Sequence, residues 1–230
     1  MVEQGATGTK SHAPQVAQVM VRAEVAEKAG IEGGSMDHKK WLMYLRIPEE
    51  HPASSEQPDN MQYYGKHVLD YGRVLDVGCG TGMLVNWLDK QKVNAMGCSV
   101  VQSEIDKGKA RYGSHLRLDY ADMHELPYTD GTIDAIHCKD VLEHSIAPYI
   151  ALCEFNRVLR MDGYLLIVQP GEEWIECDYH YSIMTDRQMK EMMRKCGFEI
   201  ERIEKGPPPK GNTIFTEFHC KKIGDISWPK

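Results

Sequence analysis

The rhythm of apolar and polar positions changes near residue 60. Before that point it is weak: residues 1–14 are small and polar and read as a disordered lead. Gln15–Ala29 sets Val16, Val19, Met20, Ala23 and Ala26 on one helical face, and Gly30, Gly33 and Gly34 end it. The apolar patch Trp41-Leu42-Met43-Tyr44-Leu45 leads into a loop, Ile47–Asp59, holding Pro48, Pro52 and Pro58. Residues 15–59 are expected to form a helical appendage packed on the main domain, or a lid that closes over a site.

Residues 60–230 alternate short apolar runs with amphipathic stretches. The pattern predicts strands over Arg73–Cys79, Asn94–Ser99, Leu116–Asp122, Ile133–Lys139 and Tyr164–Gln169. It predicts helices over Gly82–Lys90, Gln102–Tyr112, Ala147–Arg160 and Asp186–Cys196. Phe198–Glu204 and Thr213–Lys221, joined by a Pro/Gly loop over residues 206–211, read as an antiparallel pair. Such β-α units followed by a hairpin predict an α/β fold: a doubly wound, mostly parallel sheet with helices on both faces. Ligands of such sheets sit at the carboxyl ends of the strands, which is where chemistry is to be sought.

Composition narrows the function classes. The 230 residues suffice for one sizeable domain with an appendage. A net charge of −7 disfavours a protein that tracks a phosphate backbone, so no nucleic-acid partner is expected. The seven cysteines are scattered and form no C-x-x-C pair, which points to a reducing compartment and away from a zinc ribbon. No apolar run approaches the roughly 18 residues of a membrane span, and Met1–Pro14 lacks the build of a secretory signal. A cytoplasmic protein with no membrane partner is expected.

The strongest local signal is Val74-Leu75-Asp76-Val77-Gly78-Cys79-Gly80-Thr81-Gly82, an apolar strand entering three alternating glycines ahead of a helix. Glycines there permit a tight turn and close approach of a ligand to the backbone. The G-x-G-x-G spacing is not the G-x-G-x-x-G of a dinucleotide binder, which disfavours a nicotinamide-dependent oxidoreductase. Further blocks follow in order: Asp122-Met123-His124-Glu125-Leu126-Pro127-Tyr128, Gly131–Ile136, Val141-Leu142-Glu143-His144, Glu154–Arg160 and Asp162–Ile167.

With these blocks, covering about residues 60–221, the sequence resembles the class I, Rossmann-like methyltransferases of the small-molecule, type 11-like kind. The resemblance implies a seven-stranded sheet with its last strand antiparallel. It also implies S-adenosyl-L-methionine as cofactor and S-adenosyl-L-homocysteine as product. On it, Gly78, Cys79, Gly80 and Gly82 form the loop around the methionine part, and Asp76 helps orient the amino group. Asp122 matches the acid near the adenine amino group and Met123 the residue bordering that ring, while Lys139 falls on the cofactor side of the fourth strand. Read from its residue type alone, Asp122 also suits a helix or turn cap.

The pattern breaks at the second strand. The resemblance implies an acid there that grips the ribose hydroxyls, yet Ser99 occupies the place, 21 residues after Gly78. A hydroxyl makes neutral hydrogen bonds about half as strong as charge-assisted ones. Weaker ribose recognition, or help from Gln102 or a water, is expected, and Ser99→Asp is expected to tighten cofactor binding.

A sulfonium methyl is already activated, so the protein must align a nucleophile, exclude water and, for a hydroxyl acceptor, supply a base. Three catalytic candidates lie where this fold puts the acceptor: Asp140, His144 and His180, the last in a loop with Trp174, Tyr179 and Tyr181. Asp140 also suits a turn cap, and His144 and His180 also suit packing roles. Asp140, Glu143 and His144 lack further ligands at metal-site spacing, so no metal is expected. The leading reading is methyl transfer to a small-molecule acceptor, a hydroxyl of a metabolite or sugar-like compound. The alternative is a non-catalytic cofactor-binding interaction protein, raised by Ser99.

Overall fold

The computed structural model describes residues 58–207 and 214–226. The expected lead, the appendage or lid before Pro58, and most of the loop over residues 206–211 fall outside them.

The described chain opens with α1 (Pro58–Gly65), whose Pro58 occupies a first-turn position where its missing N–H costs nothing. There follow β1 (Arg73–Val77), α2 (Met83–Lys90), β2 (Asn94–Ser99), α3 (Gln102–Tyr112), β3 (Leu118–Tyr120) and β4 (Ile133–Lys139). The second half holds α4 (Pro148–Val158), β5 (Leu159–Pro170), α5 (Asp186–Lys195), β6 (Phe198–Gly206) and β7 (Phe215–Lys222). The seven strands lie in the order β3-β2-β1-β4-β5-β7-β6, and only β7 runs antiparallel to its neighbours. The expected doubly wound sheet and terminal antiparallel pair are both present.

Strand alternation divides the core between two faces. Leu75 and Val77 of β1, with Ile136, Leu165, Ile167 and Phe218, pack against Phe155 of α4 and Met189 and Met193 of α5. Val74, Ala135, Leu166 and Val168 point the other way, onto Tyr64, Val68, Leu84 and Leu88. Each fully buried side chain of this size contributes about 1.5–3 kcal/mol, so the central strands carry most of the stability. Thr185 starts α5 with a reciprocal capping box to Gln188, as the T-x-x-Q spacing allows.

The helix expected to run to Arg160 ends at Val158 instead, and β5 begins at Leu159, five residues before the expected start. Leu159 pairs with Ile133, but the next matched pair is Tyr164 with Ala135, so four residues bulge out between them. Asp162 turns that bulge with a φ of 60°. A bulge breaks the period-two pattern, which is why residues 159–163 do not read as strand.

Candidate active site

β1 delivers the glycine loop at its carboxyl end. Gly78 has a φ of 69°, and a Cβ there would lie 2.0 Å from Cγ2 of Val141, so the turn after β4 packs directly on its backbone. Gly80, also left-handed, differs: an added Cβ would meet only Glu104 Oε2, at 4.0 Å. One glycine is demanded by packing; the other leaves open space over the loop. The Cys79 amide donates to the Cys98 carbonyl at 2.9 Å, tying the loop to β2. Burial, helped by the Asp76 carboxylate, pushes the Cys79 thiol well up, so this cysteine packs as a neutral thiol.

Asp76 is buried, and its Oδ1 lies 2.7 Å from Nδ1 of His137, its register partner on β4. One carboxylate oxygen is thus committed to an imidazole that the sequence reading did not single out. The signal for His137 is its place between the apolar Ile136 and Cys138 in the middle of β4, but pairing it with Asp76 requires the register.

Ser99 is backed by a carboxylate five residues later in the chain. Ser99 Oγ accepts from the Val101 amide at 3.1 Å and donates to Glu104 Oε2 at 3.2 Å. Glu104 stands in the first turn of α3, and the same Oε2 is the atom nearest the space over Gly80. A carboxylate therefore occupies the expected region, delivered by the helix and not by the strand end. Gln102, the expected helper, instead donates to Asp106 on the exposed face of α3.

After β3, Asp122 forms a tight polar turn. Its Oδ1 accepts from the His124 amide at 2.9 Å and lies 2.7 Å from His124 Nδ1, while His124 Nε2 is 2.7 Å from the fully buried Ser145 Oγ. Asp122 thus caps its turn through Oδ1. Met123 packs against the core beside it. Arg157 of α4 binds this loop through the Leu126 and Tyr128 carbonyls and through Glu154, whose buried carboxylate also accepts from the Leu126 amide.

β4 ends in Lys139, whose ammonium pairs with Asp140 Oδ2 and lies over the rings of Tyr64 and Phe215, at 5.5 and 4.8 Å from their centroids. Its partners place it beside Asp140 and the α1 face. Asp140 has a φ of 53°, strained for a residue with a side chain, and its Oδ1 is buried with no hydrogen-bond partner. Glu143, in the turn Leu142–His144, is 1% exposed with Oε2 equally orphaned. Burial, and then the Asp140 carboxylate, push the Glu143 carboxyl well above the usual range.

Around Glu143 the structure brings the two expected histidines together. The Glu143 carbonyl accepts from the Tyr181 and Ser182 amides, folding the aromatic loop back over the turn. His144 Nδ1 lies 2.9 Å from the Tyr179 carbonyl and His180 Nδ1 2.9 Å from the Trp174 carbonyl. A carbonyl only accepts, so both rings carry a proton on Nδ1 and their basic nitrogen is Nε2. The rings stand 4.9 Å apart, and one ligand-type atom from each of Glu143, His144 and His180 lies within 4.8 Å of the others. Asp140, Glu143, His144 and His180 thus line the carboxyl end of β4, beside the glycine loop that Val141 touches.

Residues 75–167 match the family model described as a methyltransferase domain. The chain is 28% identical over 151 residues to a 27-O-demethylrifamycin SV methyltransferase of Amycolatopsis mediterranei, covering 57% of this chain and 56% of that one. It is 27% identical over 144 residues to an O-methyltransferase of Aspergillus sclerotiorum, covering 55% of this chain and 54% of that one. The chain thus spans about half the length of these relatives. Its fold matches the Burkholderia thailandensis 1,6-didemethyltoxoflavin-N1-methyltransferase, solved with 1,6-didemethyltoxoflavin and S-adenosylhomocysteine, at a TM-score of 0.59 and 17% identity over 96% of this chain and 94% of that one. The ordered blocks, the 3-2-1-4-5-7-6 sheet and these matches agree. Residues 75–167 thus match a methyltransferase domain, and the described residues share the Rossmann-like fold of the S-adenosylmethionine-dependent methyltransferases they resemble.

Proposed function

We propose that this domain transfers a methyl group from S-adenosylmethionine to a hydroxyl of a small-molecule acceptor. The observation that carries the reading is the juxtaposition of an open left-handed Gly80 with a buried, partly unsatisfied acceptor corner at Asp140, Glu143, His144 and His180. When bound, the cofactor supplies an activated sulfonium methyl. Gly78 to Gly82 form the loop around its methionine part, with the second oxygen of Asp76 oriented toward the amino group. Ser99 and Glu104 together take the ribose hydroxyls, and Asp122 with Met123 takes the adenine. On the other side His144 Nε2 receives the acceptor's proton, its ring held in the required tautomer by the Tyr179 carbonyl. Glu143, held neutral, keeps negative charge away from that imidazole, while Asp140 and His180 position the acceptor. Lys139 is reassigned from the cofactor to orienting Asp140.

The named O-methyltransferase relatives support a hydroxyl acceptor. The break at Ser99 had favoured a binding-only protein; the Glu104 carboxylate behind Ser99 removes that argument. The test is incubation with methyl-labelled S-adenosylmethionine and a panel of hydroxylated and amine metabolites, using wild type and His144→Gln. Transfer to hydroxyl compounds that falls by about 10²–10⁴-fold in His144→Gln, with S-adenosylhomocysteine affinity unchanged, is the expected result. Undiminished transfer in the variant would remove His144 as the base, and cofactor binding without any transfer would return the binding-only reading.

A further inference from the structure

Away from the acceptor corner, a second group of side chains converges on the α1 side of the sheet. His67 lies in the 3₁₀ turn Lys66–Val68 that follows α1, and Glu217 and His219 lie two residues apart on β7, facing it. His67 Nε2 is 3.8 Å from Glu217 Oε2, and His219 Nε2 is 3.3 Å from the same oxygen. We propose that His67, Glu217 and His219 form a divalent transition-metal site, best suited to Zn²⁺, which clasps the turn ahead of β1 to the last strand.

Four observations support it. The three ligand atoms all lie within 4.8 Å of one another, and ideal tetrahedral zinc bonds of about 2.0–2.1 Å set neighbouring ligand atoms roughly 3.3 Å apart. Two imidazole nitrogens and one carboxylate oxygen are a donor set that divalent zinc favours, with one position left over. Glu204 Oε2 stands 3.9 Å from His219 Nε2, within reach of that position. Of the five buried side-chain polar atoms without a hydrogen bond among the described residues, two, His67 Nε2 and Glu217 Oε2, meet at this point.

The competing reading is two neutral imidazoles packed edge-on against a carboxylate, their rings 4.9 Å apart. That arrangement leaves His67 Nε2 unpaired, whereas a cation would join it to Glu217. The surroundings favour a cation too. His219 Nδ1 lies 2.6 Å from the Tyr164 hydroxyl, and with the proton on Nδ1 that contact turns the Nε2 lone pair toward Glu217. Arg202, its Nη2 3.2 and 3.3 Å from the His219 nitrogens, and Lys66, next to His67 in the chain, are the nearby cations that oppose a metal. The Arg202 charge is offset by Glu204, bridged to its Nε at 3.1 Å.

The test uses the full chain, freed of metal by chelation and titrated with Zn²⁺ by calorimetry. One equivalent is expected to bind. The dissociation constant should rise at least about 100-fold in His67→Ala and Glu217→Gln, more than a lost outer-shell contact would produce. At hundredfold excess over that constant Zn²⁺ should raise the wild-type Tm by about 5–10 °C and leave that of His67→Ala unmoved. His67 lies on a partly exposed turn, so this variant keeps the test valid if His219→Ala does not fold. Circular dichroism of His67→Ala confirms that it does. Binding that survives in His67→Ala overturns the proposal. So does binding that is lost in His144→Ala, which moves the ion to the acceptor corner. Substitution with Co²⁺ checks the donors: absorption from nitrogen and oxygen ligands alone is expected, and a thiolate-to-metal band would overturn the assignment.

Discussion

The two halves of the proposed methyl-transfer site are built by different means. On the cofactor side, between β1, β2 and β3, nearly every polar group found is answered: Cys79 N–H by Cys98, Ser99 by Val101 and Glu104, Asp122 by His124, Glu154 by Arg157. On the acceptor side, β4 and the turn after it hold three buried side-chain atoms with no hydrogen bond, on His137, Asp140 and Glu143. The left-handed backbone of Asp140 lies there as well. A site whose ligand is common to a whole family can be satisfied by its own loops, whereas a corner that awaits a particular acceptor keeps unpaired groups until it arrives. Local inconsistency of this kind is expected at functional positions.

The comparison breaks most visibly at Arg157. Its guanidinium holds the Leu126 and Tyr128 carbonyls and the Glu154 carboxylate, and so fixes the loop that carries Asp122. In Arg157→Met the buried Glu154 loses its cation, and about 3–5 kcal/mol of stability should go with it, read by urea unfolding. A loss below about 1 kcal/mol would mean that the cofactor side is not held by its internal pairing.

Gly78 and Gly80 sharpen the comparison within a single loop. Gly78→Ala must push Val141 aside and hold an alanine at a φ of 69°, at a cost of about 3 kcal/mol. Gly80→Ala faces open space and should cost about 1–2 kcal/mol, from backbone alone. Both should weaken S-adenosylhomocysteine binding in a thermal-shift titration. Only Gly78→Ala should also unfold markedly earlier in denaturant.

On the acceptor side the decisive variable is pH. The Glu143 carboxyl is raised in the folded chain, so above the ordinary carboxylate pKa the unfolded state gives up this proton while the folded state keeps it. Stability therefore falls with rising pH from about 4.5 up to the folded pKa, by up to roughly 1.4 kcal/mol per pH unit. Glu143→Gln removes that slope. Unfolding of both proteins at pH 5 and pH 7 should show the variant gaining on wild type as the pH rises. Parallel curves would place the Glu143 carboxyl at an ordinary value and remove its part in the contrast.

What the sequence made legible divides along the same line. The glycine loop, the edges of β2, α3 and β4, and the antiparallel pair follow from local pattern, because each rests on turn chemistry or on a single period. Residues 159–163 did not, because their bulge interrupts the period, and β3 proved shorter than expected because the Asp122 turn begins right after it. Asp140, His144 and His180 were singled out by their position after β4 and β5. The Asp76–His137 pair and the meeting of His67 with β7 depend on strand register and on a fold-back across 150 residues of chain, which no local signal carries.

Glu104 is the finest instance, and it reverses an expectation. From the sequence, Ser99→Asp restores a missing acid and should tighten cofactor binding. In the structure the acid is already present: Ser99 donates to Glu104 Oε2 at 3.2 Å, so an aspartate at 99 would set two carboxylates against each other. Like charges at that distance repel, and one of them must take up a proton or turn away, with either outcome spoiling the ribose contact. Ser99→Asp is therefore expected to weaken S-adenosylhomocysteine binding, and Glu104→Gln, which keeps the shape and removes the charge, to weaken it by about tenfold. Calorimetry on the two variants separates the cases. Tighter binding in Ser99→Asp with no effect in Glu104→Gln would put the ribose acid back at the end of β2. Weakening in both places it on α3, where a helix side chain does the work of a strand-end acid without leaving its usual mark in the sequence.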